Sequence, residues 1–347
     1  MWPDTRICDL LGIEHPIIQA PMAGTTGPDM VAAVSNAGGL GSHGCATLPM
    51  EKLEADIAAL VGLTNRPVNL NFFCHEPPVM SEAHHNALLK AMAPHYEAAG
   101  ANPPSEMPTA NFNTFSETQL EILLRHPPAV VSFHFGLPEM EMVDALKEAG
   151  CKILSSATTV EEALWLTARG VDAVIAQGWE SGGHRGVFLD VEHDAQVGLF
   201  ALLPQVVDAV VVPVIAAGGI SDGRGIAAAL KLGAAGVQIG TAFITSDDAL
   251  HKPHHDDTVD AGGDASTLIS RSVSGRPARA HRTAWLESVA DVPAAPFPLM
   301  YHYTAPLQAA DSAAHQFSLY GQNAALSPAG DAGARFVNLV DQARAYL

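Results

Sequence analysis

From residue 17 to residue 240 the chain alternates short β-rich runs with helical stretches, and this alternation constrains the fold more than any other feature. Eight runs read as strands: 17–20, 39–42, 68–73, 130–133, 152–155, 173–177, 213–217 and 235–240. Between them the residue pattern predicts helices over 28–36, 50–61, 116–126, 138–149, 160–169, 195–207 and 223–232. A continuous apolar run such as 209–217 is what a parallel strand covered on both faces requires. Regular strand–helix repetition implies right-handed crossovers and a parallel sheet. Eight such units predict an α/β fold of the closed (β/α)8 TIM-barrel type. Two stretches break the rhythm. Residues 76–115 are rich in Pro, His, Ala and Asn, and residues 246–319 follow the eighth strand. Both are expected to leave the barrel top and build a lid or substrate-covering subdomain. That leaves 1–75, 116–245 and 320–347 as barrel, with an amphipathic helix near the end of the chain closing it.

The formal net charge is −19. Such a balance opposes a nucleic-acid coat, which needs basic patches, and an anionic membrane surface. The amino terminus lacks the basic start and apolar run of a signal peptide. The most apolar stretch, 209–220, is too short to span a bilayer. Cys8, Cys45, Cys74 and Cys151 form no CxxC pair, so a reducing cytoplasm is the expected compartment.

In a barrel, function gathers at the carboxyl ends of the strands. Those ends carry Gln19-Ala20-Pro21-Met22-Ala23-Gly24, Asn69-Leu70-Asn71, Gln177 to Gly186, Ala217-Gly218-Gly219-Ile220-Ser221-Asp222 and Gln238-Ile239-Gly240-Thr241. Glycine corners after the seventh and eighth strands suit a phosphate, because glycine lets the backbone approach closely. His184, preceded by two glycines, is the candidate general base, since imidazole titrates near neutrality. A Schiff-base lysine is not expected: of six lysines, Lys152 lies at the amino end of its strand. Cys45 and Cys74 follow strands, but no activating partner is evident. Gly39-Leu40-Gly41-Ser42-His43-Gly44 spells GxGxxG, yet a helical stretch precedes it rather than a strand, against a dinucleotide fingerprint. The cluster His251, His254, His255, Asp256 and Asp257 reads as solvated surface, and no metal site is expected. No side chain here stores electrons, so redox chemistry would need a phosphorylated cofactor. Pro21-Met22-Ala23-Gly24 could lie against a flat ring. FMN is compatible with these residues, as is a sugar phosphate.

Taken in order, these motifs, ending at Tyr320-Gly321-Gln322, resemble the nitronate monooxygenase family, formerly called 2-nitropropane dioxygenase; Gly182-Gly183-His184-Arg185-Gly186 is the most specific piece. The resemblance implies an FMN-containing barrel under a lid. It implies flavin contacts at Pro21, Met22, Ala23, Asn71, Gln177, Gly182, Gly183, Gly218, Gly219, Gln238, Ile239, Gly240, Thr241 and Gln322, with His184 as catalytic base. It further implies oxidation of alkyl nitronates or nitroalkanes by dioxygen to an aldehyde or ketone plus nitrite. Tyr301, Tyr303 and Tyr320 are candidates for the substrate side of the flavin. Ala305 stands where some family members carry a lysine, so a cationic contact from that segment is in question. The competing readings are an NAD(P)H-dependent flavin reductase on the same fold and a flavin- or phosphate-binding module without turnover.

Overall fold

The computed structural model describes residues 2–110, 114–250, 255–260, 262–327 and 329–347. Eight parallel strands form the barrel: β1 (Ile17–Gln19), β2 (Gly41–Gly44), β3 (Val68–Phe73), β4 (Val130–His134), β5 (Lys152–Ala157), β6 (Ala173–Gln177), β8 (Val214–Ala217) and β9 (Gly236–Ile239). They are ordered β1-β9-β8-β6-β5-β4-β3-β2. A parallel bridge between Ile18 and Leu40 joins the two edges, with Gln19 N–H donating to Leu40 O at 3.0 Å. The fold is therefore the expected TIM barrel.

Side-chain parity within the strands sets the interior. Ile18, Val130, Leu154, Ala173, Ile175 and Ile215 pack inside the amino-terminal half, plugged by Ile7, Cys8 and Leu11 of the helix Arg6–Leu11. Farther along the same inward rows stand Asn71, Ser132, Ser156, Gln177 and Gln238. The alternate rows, among them Val131, Phe133, Val174 and Val237, join the larger core shared with the outer helices. A strand's twofold periodicity thus gives a dry floor and a polar upper end within one barrel.

Several boundaries move. The second strand begins at Gly41 rather than at residue 39 and is formed by the last four residues of the GxGxxG stretch. A Cβ on Gly41 would run into the backbone of Val31, so that glycine serves the close approach of the helix Pro28–Asn36. The terminal helix spans Ala332–Tyr346 and packs against the helix Gly223–Lys231.

The stretch 76–115, read only as an excursion from the barrel with no element assigned, holds an 18-residue helix, Glu82–Ala99. The Ser81 hydroxyl accepts from His84 N–H at its start, and Gly100 closes it in the left-handed conformation. Its Leu88, Met92 and Tyr96 form a second core with Val273, Trp285, Leu299, Met300, Tyr303 and Leu307. Beside them lies a small antiparallel sheet of β10 (Thr267–Ser270), β11 (Ala278–His281) and β7 (Gly183–His184). The loop after β6 is thereby hydrogen-bonded to the 246–319 excursion, with His184 paired to Ala278. His251 and His254 lie outside the described residues, and nothing is described of the side chains of His255 and Asp256. Among the described residues no helix is long and apolar enough to cross a membrane.

Candidate active site

A cavity of about 620 Å³ opens at the carboxyl ends of the barrel strands. Its described lining contains no Lys, Arg, Asp or Glu side chain. Of the residues singled out above, Pro21, Met22, Ala23, Asn71, Gln177, Gly182, Gly183, His184, Gly218, Gly219, Gln238, Gly240, Thr241, Tyr301 and Tyr320 line it. Three do not. Ile239 faces the outer helix layer, because its neighbour Gln238 takes the inward position and parity reverses at each residue. Tyr303 is buried in the second core, its hydroxyl 2.6 Å from His85 Nδ1, while Tyr301 on the same helix reaches the cavity. Gln322 is replaced in the lining by its neighbours Gly321 and Asn323. The Gln322 backbone instead donates to Glu180 O at 3.1 Å.

Two glycine corners shape one end. Gly218 and Gly219 have φ of +109° and +65°, which side chains rarely adopt, and a Cβ on Gly218 would strike the Ser181 hydroxyl. The segment Tyr320-Gly321-Gln322-Asn323 is fastened to both corners. Gly321 N–H donates to Thr241 Oγ1 at 2.9 Å, and the Asn323 amide donates to Gly219 O. Sequence reasoning had no signal for Asn323, whose role depends on contact across about a hundred residues of chain.

Gln177 and His134 carry the other end. The Gln177 amide donates to His184 O at 3.0 Å and accepts from Gly186 N–H at 2.7 Å, so it holds the loop that bears His184. His134 Nε2 donates to His184 O at 3.1 Å, leaving its Nδ1 to accept from the Ser156 hydroxyl at 3.1 Å. His134 was not singled out in the sequence; its inward position at the end of β4 was the available signal.

Among the described residues, the buried His184 Nε2 has no hydrogen-bond partner, and the same is true of Gln238 Oε1. Phe297, Phe135 and Phe73 surround the His184 ring, with centroids at 5.4, 6.1 and 6.4 Å. Burial, then the His134 and Arg276 charges, push His184 down to about 3. Burial likewise lowers His134 and His75 to about 4. These imidazoles are neutral at pH 7 in the fold. Cys45 and Cys74 are not activated, because burial raises both thiols above their ordinary pKa.

A stability prediction follows from the three histidines. The unfolded chain takes up their protons near pH 6.5, whereas the folded chain does so only near pH 3–4. The unfolded state therefore binds more protons between those limits, and stability falls as pH falls through that window. Calorimetric melts should show Tm dropping by several degrees from pH 7 to pH 5, and replacing His134 by Asn should flatten that slope.

The nitronate monooxygenase family model matches residues 4–331. The nitronate monooxygenase of Pseudomonas aeruginosa is 42% identical over 347 residues, covering 98% of this chain and 99% of that one. Among solved structures, nitroalkane oxidase from Streptomyces ansochromogenes superposes with a TM-score of 0.87 at 35% identity, covering 98% of each chain. FabK from Thermotoga maritima follows at 0.74 and 27%, covering 98% of this chain and 96% of that one. Barrel, cavity and relatives together define a TIM-barrel oxidoreductase. The chain belongs to the nitronate monooxygenase family.

Proposed function

We propose that this chain is an FMN-dependent nitronate monooxygenase that oxidises alkyl nitronates with dioxygen to an aldehyde or ketone plus nitrite, with His184 as the base that admits neutral nitroalkanes. The observation that carries the reading is the buried His184 Nε2, without a hydrogen-bond partner among the described residues, in an aromatic recess of a cavity whose described lining holds no charged side chain. The residues fit FMN. Gln238 Oε1 is a second buried polar atom without a partner, and the corner glycines keep side chains out of the adjoining space.

Backbone N–H groups at Gly218, Gly219, Gly240 and Thr241 would hold the phosphate. Met22 and Ala23 would lie along the ring, with Asn71 and Gln238 offering amide groups. FMN, when bound, supplies the electron transfer between nitronate and dioxygen that no side chain can carry. The chain's own share is proton chemistry and placement. Neutral His184 takes the acidic α proton of a nitroalkane at Nε2. An anion formed against that nitrogen raises its proton affinity, so the base strengthens as charge develops on the substrate. Phe73, Phe135 and Phe297 exclude water from this step. We place the described parts of the segments 76–115 and 246–319 over the mouth as a lid. Dioxygen and a small nitro compound are the only partners this reading requires, in a cytoplasmic setting.

The test is aerobic nitrite release from propionate 3-nitronate by purified protein, with NADH as a control under anaerobic mixing. The expected protein is yellow, releases nitrite, and is bleached by the nitronate but not by NADH. Rapid bleaching by NADH without nitrite release would replace this reading with a flavin reductase.

A further inference from the structure

The lining of the cavity poses an electrostatic problem. A nitronate is an anion, and no lysine or arginine among the described residues faces it. Ala305 provides no cation, and the chain as a whole is strongly acidic. The nearby guanidiniums differ in how far they are compensated. Arg185 is fully buried but paired with Asp194 at 3.0 Å. Arg279 is turned to Trp179 O and the Thr267 hydroxyl.

Arg276 is placed differently. Its guanidinium lies 4.1 Å over the centre of the Phe135 ring and 5.9 Å from that of Phe297. These are two of the rings that enclose His184. Its Nη1 donates to Val187 O at 2.8 Å, in the loop just after His184. Among the described residues no carboxylate comes within ion-pair distance of it. Phe135 itself has φ of +70°, a conformation uncommon for a residue with a bulky side chain. Such strain persists where the surroundings hold it, and functional sites are where it clusters.

We propose that Arg276, acting through the Phe135–Phe297 wall, is the cation that positions an anionic nitro head-group against His184. The shared rings keep the two groups within about 10 Å, a range over which unit charges still couple in a partly buried site. The ring faces turn toward a cation, which lets the charge stand close without entering the cavity. A wall of this kind attracts the anion without forming an ion pair that product nitrite would have to break.

The neighbouring charges bear on the same balance. His134 on β4, His75 and Glu76 after β3, Arg271 before the guanidinium, Glu162 from the helix Val160–Ala168, and Tyr301 from the helix Met300–Ala310 face this region. The Arg276 charge and the His134 charge both lower His184. Burial brings Arg276 down to about 10, which leaves it charged at pH 7.

This inference rests on the nitronate reading for its substrate, but its test does not depend on turnover. Nitrate, a planar anion shaped like the nitronate head, is titrated calorimetrically into purified holoenzyme. Arg276→Gln keeps a donor for Val187 O and removes the charge; Arg276→Lys keeps the charge. Nitrate binding should weaken about tenfold in Arg276→Gln and stay within about threefold of wild type in Arg276→Lys. The acid limb of kcat/KM for a neutral nitroalkane should move up by about one pH unit in Arg276→Gln, while its KM changes little. Melting temperature and flavin content identify any variant that fails to fold, in which case the Arg276→Lys arm decides. Nitrate binding equal to wild type in Arg276→Gln overturns the proposal, as does a wild type that binds no nitrate or an Arg276→Lys variant that loses binding. Charge-dependent nitrate binding in a protein that turns over no nitro compound would uphold Arg276 as the cation that attracts a planar anion and overturn the nitronate reading.

Discussion

His184→Asn is expected to keep its fold and its flavin while losing more than about 100-fold in turnover of neutral nitroalkanes. Asparagine occupies similar space, and the backbone of residue 184 makes the contacts that hold the loop: its carbonyl accepts from both His134 and Gln177, and its strand pairs with β11. None of those contacts involves the imidazole. What disappears is a neutral nitrogen inside a ring of three phenylalanines, able to accept a proton. Preformed nitronates carry no α proton to remove, so their oxidation should fall far less. The two substrates therefore separate a base from a residue that merely packs. Steady-state nitrite assays with both substrates decide the point, and equal losses on the two would remove His184 from the base role. In the wild type, activity on a neutral nitroalkane should persist well below pH 6.5, because His184 remains unprotonated down to about 3.

The second large effect is expected at Gly219→Asp, which should yield colourless protein. Three costs coincide there. A φ of +65° disfavours any side chain, the new Cβ would lie 3.2 Å from Glu180 Cβ, and the added carboxylate would stand beside both the Glu180 carboxylate and the proposed phosphate site. Glu180 is itself held by the amide of Leu199 at 2.8 and 3.0 Å, so it cannot easily move aside. FMN occupancy, read from the visible spectrum after gel filtration, should fall below about a tenth of wild type, a loss that like-charge repulsion plus backbone strain can supply. Gly219→Ala introduces the strain without the charge and should retain part of the flavin. Full occupancy in the aspartate variant would move the phosphate elsewhere.

The barrel was legible because each strand carries its own signature. The runs at 130–133, 152–155 and 173–177 are short and apolar and sit between amphipathic helical stretches, and all three form strands. The second strand was the weakest reading, and it moved by two residues. Its sequence, Gly-Ser-His-Gly, has no large apolar residue; it is a strand because it pairs in parallel with β3, and Gly41 leaves room for the Val31 backbone beside it. No helix was read at 82–99, although Ser81 caps it and Leu88, Met92 and Tyr96 are spaced as a helix requires, because the stretch was taken only as a Pro-, His-, Ala- and Asn-rich break in the strand–helix rhythm.

In the candidate site, the residues found in advance are those on strand ends. Met22, Asn71, Gln177, His184 and Gln238 follow from knowing where strands stop, since a barrel brings every such end to one face. Ile239 lies outside the cavity lining because of parity within its strand, and Tyr303 because of its direction along a helix. Asn323 and Arg276 escaped because their positions depend on which segments meet, whereas His134, an inward residue at the end of β4, carried the same strand-end signal and was overlooked.

Local sequence determined the fold class, the strand ends and the glycine corners, because these rest on backbone geometry and periodicity over a few residues. Only the tertiary structure decided that His184 would be buried, that its loop would be held by Gln177 and His134, and that the Arg276 guanidinium would sit against the Phe135 and Phe297 rings that enclose His184. Those properties are sums over surroundings assembled from β3, β4, the segment before β11 and the helix Met300–Ala310, and burial and electrostatic coupling do not exist until those distant pieces are packed together.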